Sequence, residues 1–371
     1  YRETATAIHL EKGATSRDDV PLAGHLKEFT CGHGQRDQHL RQQRQQLTGK
    51  DAIDAMKPSP AKPDHQGRKV LIAYAGLAFA VLCWAANTVL ARGVIQAVNP
   101  MALSFWRWVF ALVMIIPFGF LYVKRDLPVI KNNKLPLVVL SFFSVAVYNS
   151  LLYVAAHFTT ANNMSIVTAT MPAITIVAAW LIIHERPLVF QILGVIISTT
   201  GMLWIIFQGS PANIRNLVFN YGDLLVIVSV ASWSLYSVFL RKFRIVLHPL
   251  SLLTMTISLG LLFIAPCYIG EIIVTGTFSF TLRVLPVFLF LGLFPSILAY
   301  LCWNIGVGRV GPSTAAMFLY LLPIFAAFLS FVFLGERISS YHVLGGALIF
   351  IGLYLAKPKN PDRKKNGLSD G

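Results

Sequence analysis

The sequence predicts an all-α integral membrane protein, with ten transmembrane helices arranged as two inverted five-helix repeats around a central cavity. Three observations carry this expectation. From residue 70 to residue 356 the chain is almost unbroken apolar sequence. Of its 371 residues, 56% are hydrophobic and only 13% charged, where soluble domains carry about 25% charged residues. The second half of the apolar stretch also repeats the first. A bilayer core about 30 Å thick takes roughly 20 apolar residues per helical span, and the chain supplies that length repeatedly.

Residues 1–66 hold no apolar run and are rich in Gln, Asp, Lys, Arg and Pro, the composition of a disordered leader. No signal peptide is expected, because the first apolar segment begins well past the usual window of about 15–30 residues. The predicted helices then span 70–92, 101–123, 135–157, 162–183, 188–207, 222–241, 250–274, 284–307, 312–334 and 338–356. Turn-forming residues punctuate them at Asn99-Pro100, Pro128, Glu185-Arg186-Pro187, Ser210-Pro211, His248-Pro249 and Gly311-Pro312. Repeat one is thus expected over 67–209 (helices one to five), repeat two over 210–357 (helices six to ten), and a basic cytoplasmic tail over 358–371.

Lys and Arg placement in the short loops sets the orientation. With the N-terminus inside, sixteen basic residues fall on the inner side and four (Arg92, Arg215, Arg283, Arg337) on the outer. Both termini are therefore expected in the cytoplasm. The net charge of +15 belongs to this bias, and nucleic acid is not an expected partner.

A shift of 151 residues pairs Pro172 with Pro323, Glu185 with Glu336, Gly194 with Gly345 and Gly201 with Gly352. Near the start of each half a shift of 149 pairs Val81 with Val230, Trp84 with Trp233 and Arg92 with Arg241. Five helices per half is an odd number, so the halves must cross the membrane in opposite senses. Inverted repeats of this kind let a transporter present one site alternately to each side.

The chain resembles the EamA-type branch of the drug/metabolite transporter superfamily. The resemblance lies in Leu82-Cys83-Trp84-Ala85-Ala86-Asn87, Phe105-Trp106-Arg107-Trp108, Pro172 with Glu185-Arg186-Pro187, and Pro323 with Gly335-Glu336-Arg337. It implies that helices one, three, four, six, eight and nine surround a cavity, with five and ten at the periphery. It also implies an inner-membrane exporter of amino acids or related metabolites, most like the bacterial aromatic amino-acid exporters. One departure is that the second half has no counterpart of Arg107.

Candidate cargo contacts are the polar and aromatic side chains within spans, where hydrocarbon offers no hydrogen-bond partners. Asn149 and Tyr153 share a face of helix three, and the 151 shift maps them onto Tyr300 and Asn304 of helix eight with the residue types exchanged. Trp84 with Asn87 and Trp233 with Tyr236 share the matching faces of helices one and six. With Tyr148, Trp303 and Tyr320 these residues outline a pocket of rings with hydrogen-bonding tips, suited to a small zwitterion with an apolar side chain. The alternative is that they glue helices together or anchor them at the interface. Tyr148 and Trp303 point to different helical faces from their neighbours.

Arg107 is either a counter-charge or gate element, or a snorkelling side chain about 10 Å from the outer end of its helix. Its neighbours Trp106 and Trp108 read as belt anchors. Pro172 and Pro323 are hinge candidates or plain kinks. No Asp or Glu lies centrally in a span, so transport is expected to be substrate-driven, or coupled through His157 or an end carboxylate. The cysteines, and Cys31 with His33 and His39, lack the spacing of a disulfide framework or a zinc site. No cofactor and no metal is expected. No enzyme constellation appears at membrane depth. The expected partners are a small-molecule substrate and the lipid bilayer, with the protein a monomer. A sugar-phosphate or nucleotide-sugar carrier is the second transport reading, and a sensor or channel the reading outside transport.

Overall fold

The computed structural model describes residues 65–94, 98–210, 212–213, 218–276 and 284–356, and among these all regular structure is helical. The tail 358–371 and all but the last two residues of the expected leader 1–66 lie outside the described residues. The helices are α1 (His65–Val94), α2 (Pro100–Arg125), α3 (Lys134–Ala155), α4 (Ala161–Ile183), α5 (Val189–Ile206), α6 (Tyr221–Phe243), α7 (Pro249–Thr275), α8 (Leu285–Val310), α9 (Pro312–Leu334) and α10 (Ser340–Leu355). The first nine are long and apolar enough to cross a membrane. The tenth, at 16 residues, is shorter. A further short helix, Leu127–Asn132, fills the connection after α2.

Local chemistry fixes the ends. Pro100, Pro249 and Pro312 open α2, α7 and α9, where the ring presets the backbone and the missing N–H has no helical acceptor. Asn220 with Asp223 forms a capping box on α6, and Ser339 with His342 forms one on α10. α4, α6 and α9 stop at left-handed residues: His184, Arg244 and Gly335.

The packing pattern repeats itself between the halves. α1 packs on α8 and α9, just as α6 packs on α3 and α4; α2 pairs with α7, and α5 with α10. Between α5 and α10, a Cβ on Gly194 would stand 2.5 Å from the Gly352 carbonyl oxygen, and one on Gly201 would stand 2.6 Å from that of Gly345. Numbers rise along one helix as they fall along the other, so the two run antiparallel. They are the same helix of two repeats, so one repeat is upside down. Glycine permits this backbone approach.

α2 and α7 are also antiparallel and cap one another. Glu271, near the end of α7, accepts from Met101 N and Ala102 N at 2.9 and 2.8 Å, in the first turn of α2. Asp126, just past α2, accepts from His248 N at 2.9 Å, immediately before α7. Each carboxylate thus meets the positive end of a helix dipole. Burial alone would raise the pKa of Asp126. The His248 N–H and the Arg125 guanidinium, 3.5 Å away, outweigh it and hold the carboxyl below its ordinary value. A depressed carboxylate pKa stabilises above the unfolded value, and that support is lost only as pH falls through the folded value.

The glycine crossing can be tested by thermal unfolding of purified protein. Gly201→Ala is expected to destabilise by about 1–3 kcal/mol, while Gly270→Ala, where a Cβ meets nothing within 4 Å, is expected to be neutral. Equal behaviour of the two variants would refute the contact.

Candidate functional site

Three pairs of repeat-equivalent residues touch each other. Trp84 and Trp233 meet edge to face with ring centroids 5.2 Å apart. Asn149 Nδ2 donates to Tyr300 Oη at 2.9 Å. Ser198 Oγ donates to Ile349 O at 3.4 Å. A residue contacts its own repeat partner only near the twofold axis relating the halves, so these pairs mark that axis through the bundle.

Beside the axis both α3 and α8 loosen into a π turn, over Phe142–Tyr148 and Gly292–Leu298. Such a turn shifts the hydrogen-bond ladder and frees carbonyls. Ser144 O accepts from Asn149 Nδ2 and Tyr300 Oη, at 3.0 and 3.3 Å. Its equivalent, 151 residues on, is Pro295 O, which accepts from Trp84 Nε1 and Arg107 Nη2 at 3.0 and 3.2 Å. Ser229 and Ser232 of α6 satisfy Tyr148 O and Phe143 O, each at 2.7 Å. Polar side chains of one repeat therefore complete the loosened backbone of the other.

Rings fill the centre. Trp303 lies 5.3 Å from Trp84 and 5.4 Å from Trp233. Tyr148, Tyr236 and Tyr300 lie 4.7, 5.3 and 5.3 Å from Trp233. Tyr236 Oη donates to Asn304 Oδ1 at 2.6 Å, and Trp303 Nε1 to Ser237 Oγ at 3.2 Å. Tyr148 and Trp303, set apart by the helical-face argument, thus join the same cluster; Trp303 stands three residues after Tyr300 in the regular helix beyond the π turn. Two candidates stand outside this cluster. Asn87 is half-buried on α1, with an Oδ1 that has no partner. Tyr320 Oη pairs with Thr199 of α5 at 2.6 Å.

Arg107 is only 2% exposed, so it does not snorkel. Its Nε donates to Ser296 Oγ at 2.7 Å, Nη1 to Asn149 Oδ1 and Tyr153 Oη at 2.9 Å each, and Nη2 to Pro295 O. Its guanidinium also lies 5.1 Å from the ring centroid of Trp108. Among the described residues, no carboxylate lies within ion-pair distance of it. One side chain thus ties α2 to α3 and α8 at the end where α2 begins. Trp108 is no belt anchor: it is fully buried, with its ring 5.2 Å from Tyr300. Trp106 Nε1 donates to Tyr268 Oη at 2.9 Å, sealing α2 against α7 at the same end.

At the opposite end a cavity of about 270 Å³ opens among α3, α6, α7 and α8, reaching Asn304. At its floor Asn304 Nδ2 is buried and unpartnered, as are Trp233 Nε1 on the axis and Trp108 Nε1 beside Arg107. The shift of 149 puts Thr256 where Arg107 would be, and its hydroxyl bonds to its own helix, at Leu253 O.

The hinge candidates sit at real breaks. α4 is interrupted after Thr168 and resumes at Met171 with Pro172 in the first turn. α9 tightens over Phe318–Leu321 and resumes at Leu322 with Pro323. Thr175 and Ser234 hydroxyls both reach Met171 O at the α4 break. His157 is exposed at the end of α3, its Nδ1 within 3.1 Å of Tyr153 O. Asp223, read from the sequence only as an end carboxylate, is buried and joins α6 to Thr159 and Asn163 of the first repeat. Cys31, His33 and His39 lie outside the described residues, among which no metal-binding group of side chains occurs. Sequence reasoning missed Ser144, Pro295 and Ser296. The signal was the 151-residue spacing of Ser144 and Pro295 together with a proline in the middle of a span.

The model of the EamA-like transporter family matches residues 71–207 and again 220–357. The chain belongs to this family. Among EamA relatives, the uncharacterized transporter YyaM of Bacillus subtilis (strain 168) is 27% identical over 269 residues, covering 72% of this chain and 87% of that one. An uncharacterized transporter of Archaeoglobus fulgidus is 25% identical over 284 residues, covering 76% and 96%. A crystal structure of a protein superposes with a TM-score of 0.64 at 19% identity, covering 78% of this chain and 96% of that one, a likeness of fold.

Arg107→Lys is expected to destabilise this EamA protein by about 1–3 kcal/mol, because an ammonium cannot serve four acceptors in a fork and leaves buried groups unpaired. Chemical denaturation in detergent measures it. An unchanged midpoint would show that the network is not holding the helices.

Proposed function

We propose that this protein is a secondary transporter that exports small metabolites, foremost amino acids with aromatic or neutral side chains, across the inner membrane by alternating access. The observation that supports it is the meeting of repeat-equivalent residues on the twofold axis. An inverted pair with its polar contacts there can exchange the roles of its halves while the centre stays in place. The charge bias of the loops puts both termini in the cytoplasm and makes the Arg107 end external. The conformation is then closed outside and open inside by way of the 270 Å³ cavity. The protein acts as a monomer, since one chain holds both halves of the path.

In this state Trp84 Nε1 holds Pro295 O while Trp233 Nε1 is unpaired. In the outward-open state the roles reverse: Trp233 donates to Ser144 O and Trp84 is released. The breaks before Pro172 and Pro323 absorb the motion. A phosphorylated cargo is the weaker reading. Such cargo calls for several deep cations, and Arg107 is the one buried cation among the described residues, already committed to four protein acceptors. A sensor or channel gives no reason for the inverted duplication.

The test is flux of labelled amino acids in proteoliposomes. Wild type is expected to move aromatic or neutral amino acids. Trp84→Ala, Asn149→Ala and Tyr300→Ala are expected to lower flux at least tenfold, while Tyr320→Phe, whose hydroxyl faces Thr199, retains it. Flux indifferent to the first three variants, in protein of wild-type elution profile, would remove the cluster from the path. Labelling that put residues 68 and 215 in one compartment would overturn the topology.

A further inference from the structure

Buried polar atoms without a partner occur toward both ends of the axis: Asn87 Oδ1 and Trp108 Nε1 toward the Arg107 end, and Asn304 Nδ2 at the other. Asn304 is the one that borders the cavity described above. Asn304 is 7% exposed; its Oδ1 is taken by Tyr236, and its Nδ2 is buried without an acceptor where the cavity ends. Arg241 and Arg244 border the same cavity. Arg241 is fixed by donation to Gly308 O at 2.6 Å. Arg244, at the left-handed end of α6, is exposed and makes no ion pair or hydrogen bond through its side chain among the described residues. No carboxylate lines the cavity; its walls include Leu140, Leu252 and Ile305. A group that completes this site must be an acceptor, carry negative charge and have an apolar body. At about 270 Å³ the space falls below the roughly 300–1,000 Å³ of sites for drug-sized ligands and suits a small one.

We propose that this cavity is a loading site for the carboxylate of a small amphipathic acid. Arg244 meets the charge at the mouth and the Asn304 amide receives a carboxylate oxygen at the floor, next to Tyr236 and the central rings. As a loading site it rests on the transport reading; as a binding site it does not.

The experiment uses the full-length chain in detergent, titrated with phenylpropionate (carboxylate and ring), phenylalaninamide (ring, no carboxylate) and inorganic phosphate (anion, no apolar body). Intrinsic tryptophan fluorescence reads binding, because Trp233 and Trp303 stand beside Tyr236 and Asn304. Phenylpropionate is expected to bind at least tenfold more tightly than either other probe. Arg244→Gln and Asn304→Asp, the latter keeping an acceptor for Tyr236, are each expected to weaken it about tenfold or more. Lys131→Gln, a charge removed at the same end but outside the cavity, should change nothing. Wild-type affinity in both cavity variants, or equal binding of phenylalaninamide, would refute the site. Phosphate binding as tight as phenylpropionate and lost in Arg244→Gln would refute the ligand class. Phenylalanine flux separates the two readings: flux with unaltered binding in the variants sinks the loading site alone. Variant-sensitive binding without any amino-acid flux sinks transport and leaves the site.

Discussion

In hydrocarbon a backbone carbonyl released from its helix must find a donor inside the protein, and the whole centre of this molecule follows from that constraint. The π turns in α3 and α8 release carbonyls at equivalent positions, Ser144 and Pro295, and the donors that reach them include side chains from the opposite repeat. Neither half could keep its loosened helix alone. The two repeats are thus joined by mutual completion of backbone hydrogen bonds as well as by ring packing.

Arg107 breaks this symmetry. A guanidinium taken out of water carries a desolvation cost of several kcal/mol, and here four hydrogen bonds and one aromatic face offset it. The offset exists only while α2, α3 and α8 stay together, so the charge acts as a conditional tie: separating the helices requires water to replace every acceptor at once. The second repeat has Thr256 in place of the arginine, and its hydroxyl bonds within its own helix, so no equivalent tie forms at the end where the cavity lies. The unmatched arginine is one of several differences between the repeats that make the two ends distinguishable.

Much of this was legible in the sequence. The span lengths, the 149 and 151 shifts, and the odd helix count gave an inverted pair, while the repeated glycines marked the repeat without indicating that α5 and α10 cross at them. The central rings followed from the same arithmetic, since mid-span aromatics on matching faces have nowhere else to meet. What escaped were effects of helix irregularity. A π turn leaves no mark at Phe142–Tyr148, at whose end Tyr148 joins the cluster, while Trp303 joins it from regular helix three residues after Tyr300. The burial of Arg107 was equally hidden. Distance from the helix end permits snorkelling, and only the position of α8 shows the acceptors closing over the charge. Tyr320 stands apart from the ring cluster, in the tightened turn over Phe318–Leu321 with its hydroxyl on Thr199.

The energetic consequence lies in what each end leaves unpaired. A ligand shifts a two-state equilibrium only by the difference in its affinity for the two states. A rigid apolar slot would offer little such difference. Here two donors, Trp233 Nε1 on the axis and Asn304 Nδ2 at the cavity, are buried without acceptors, and each such group carries a penalty of about 1–3 kcal/mol. An acceptor arriving from outside removes that penalty in this state and not in one where the protein itself supplies the partner. On the proposed transport reading, the unsatisfied donors are where cargo and conformation would exchange free energy, with the arginine network opposing separation of the helices.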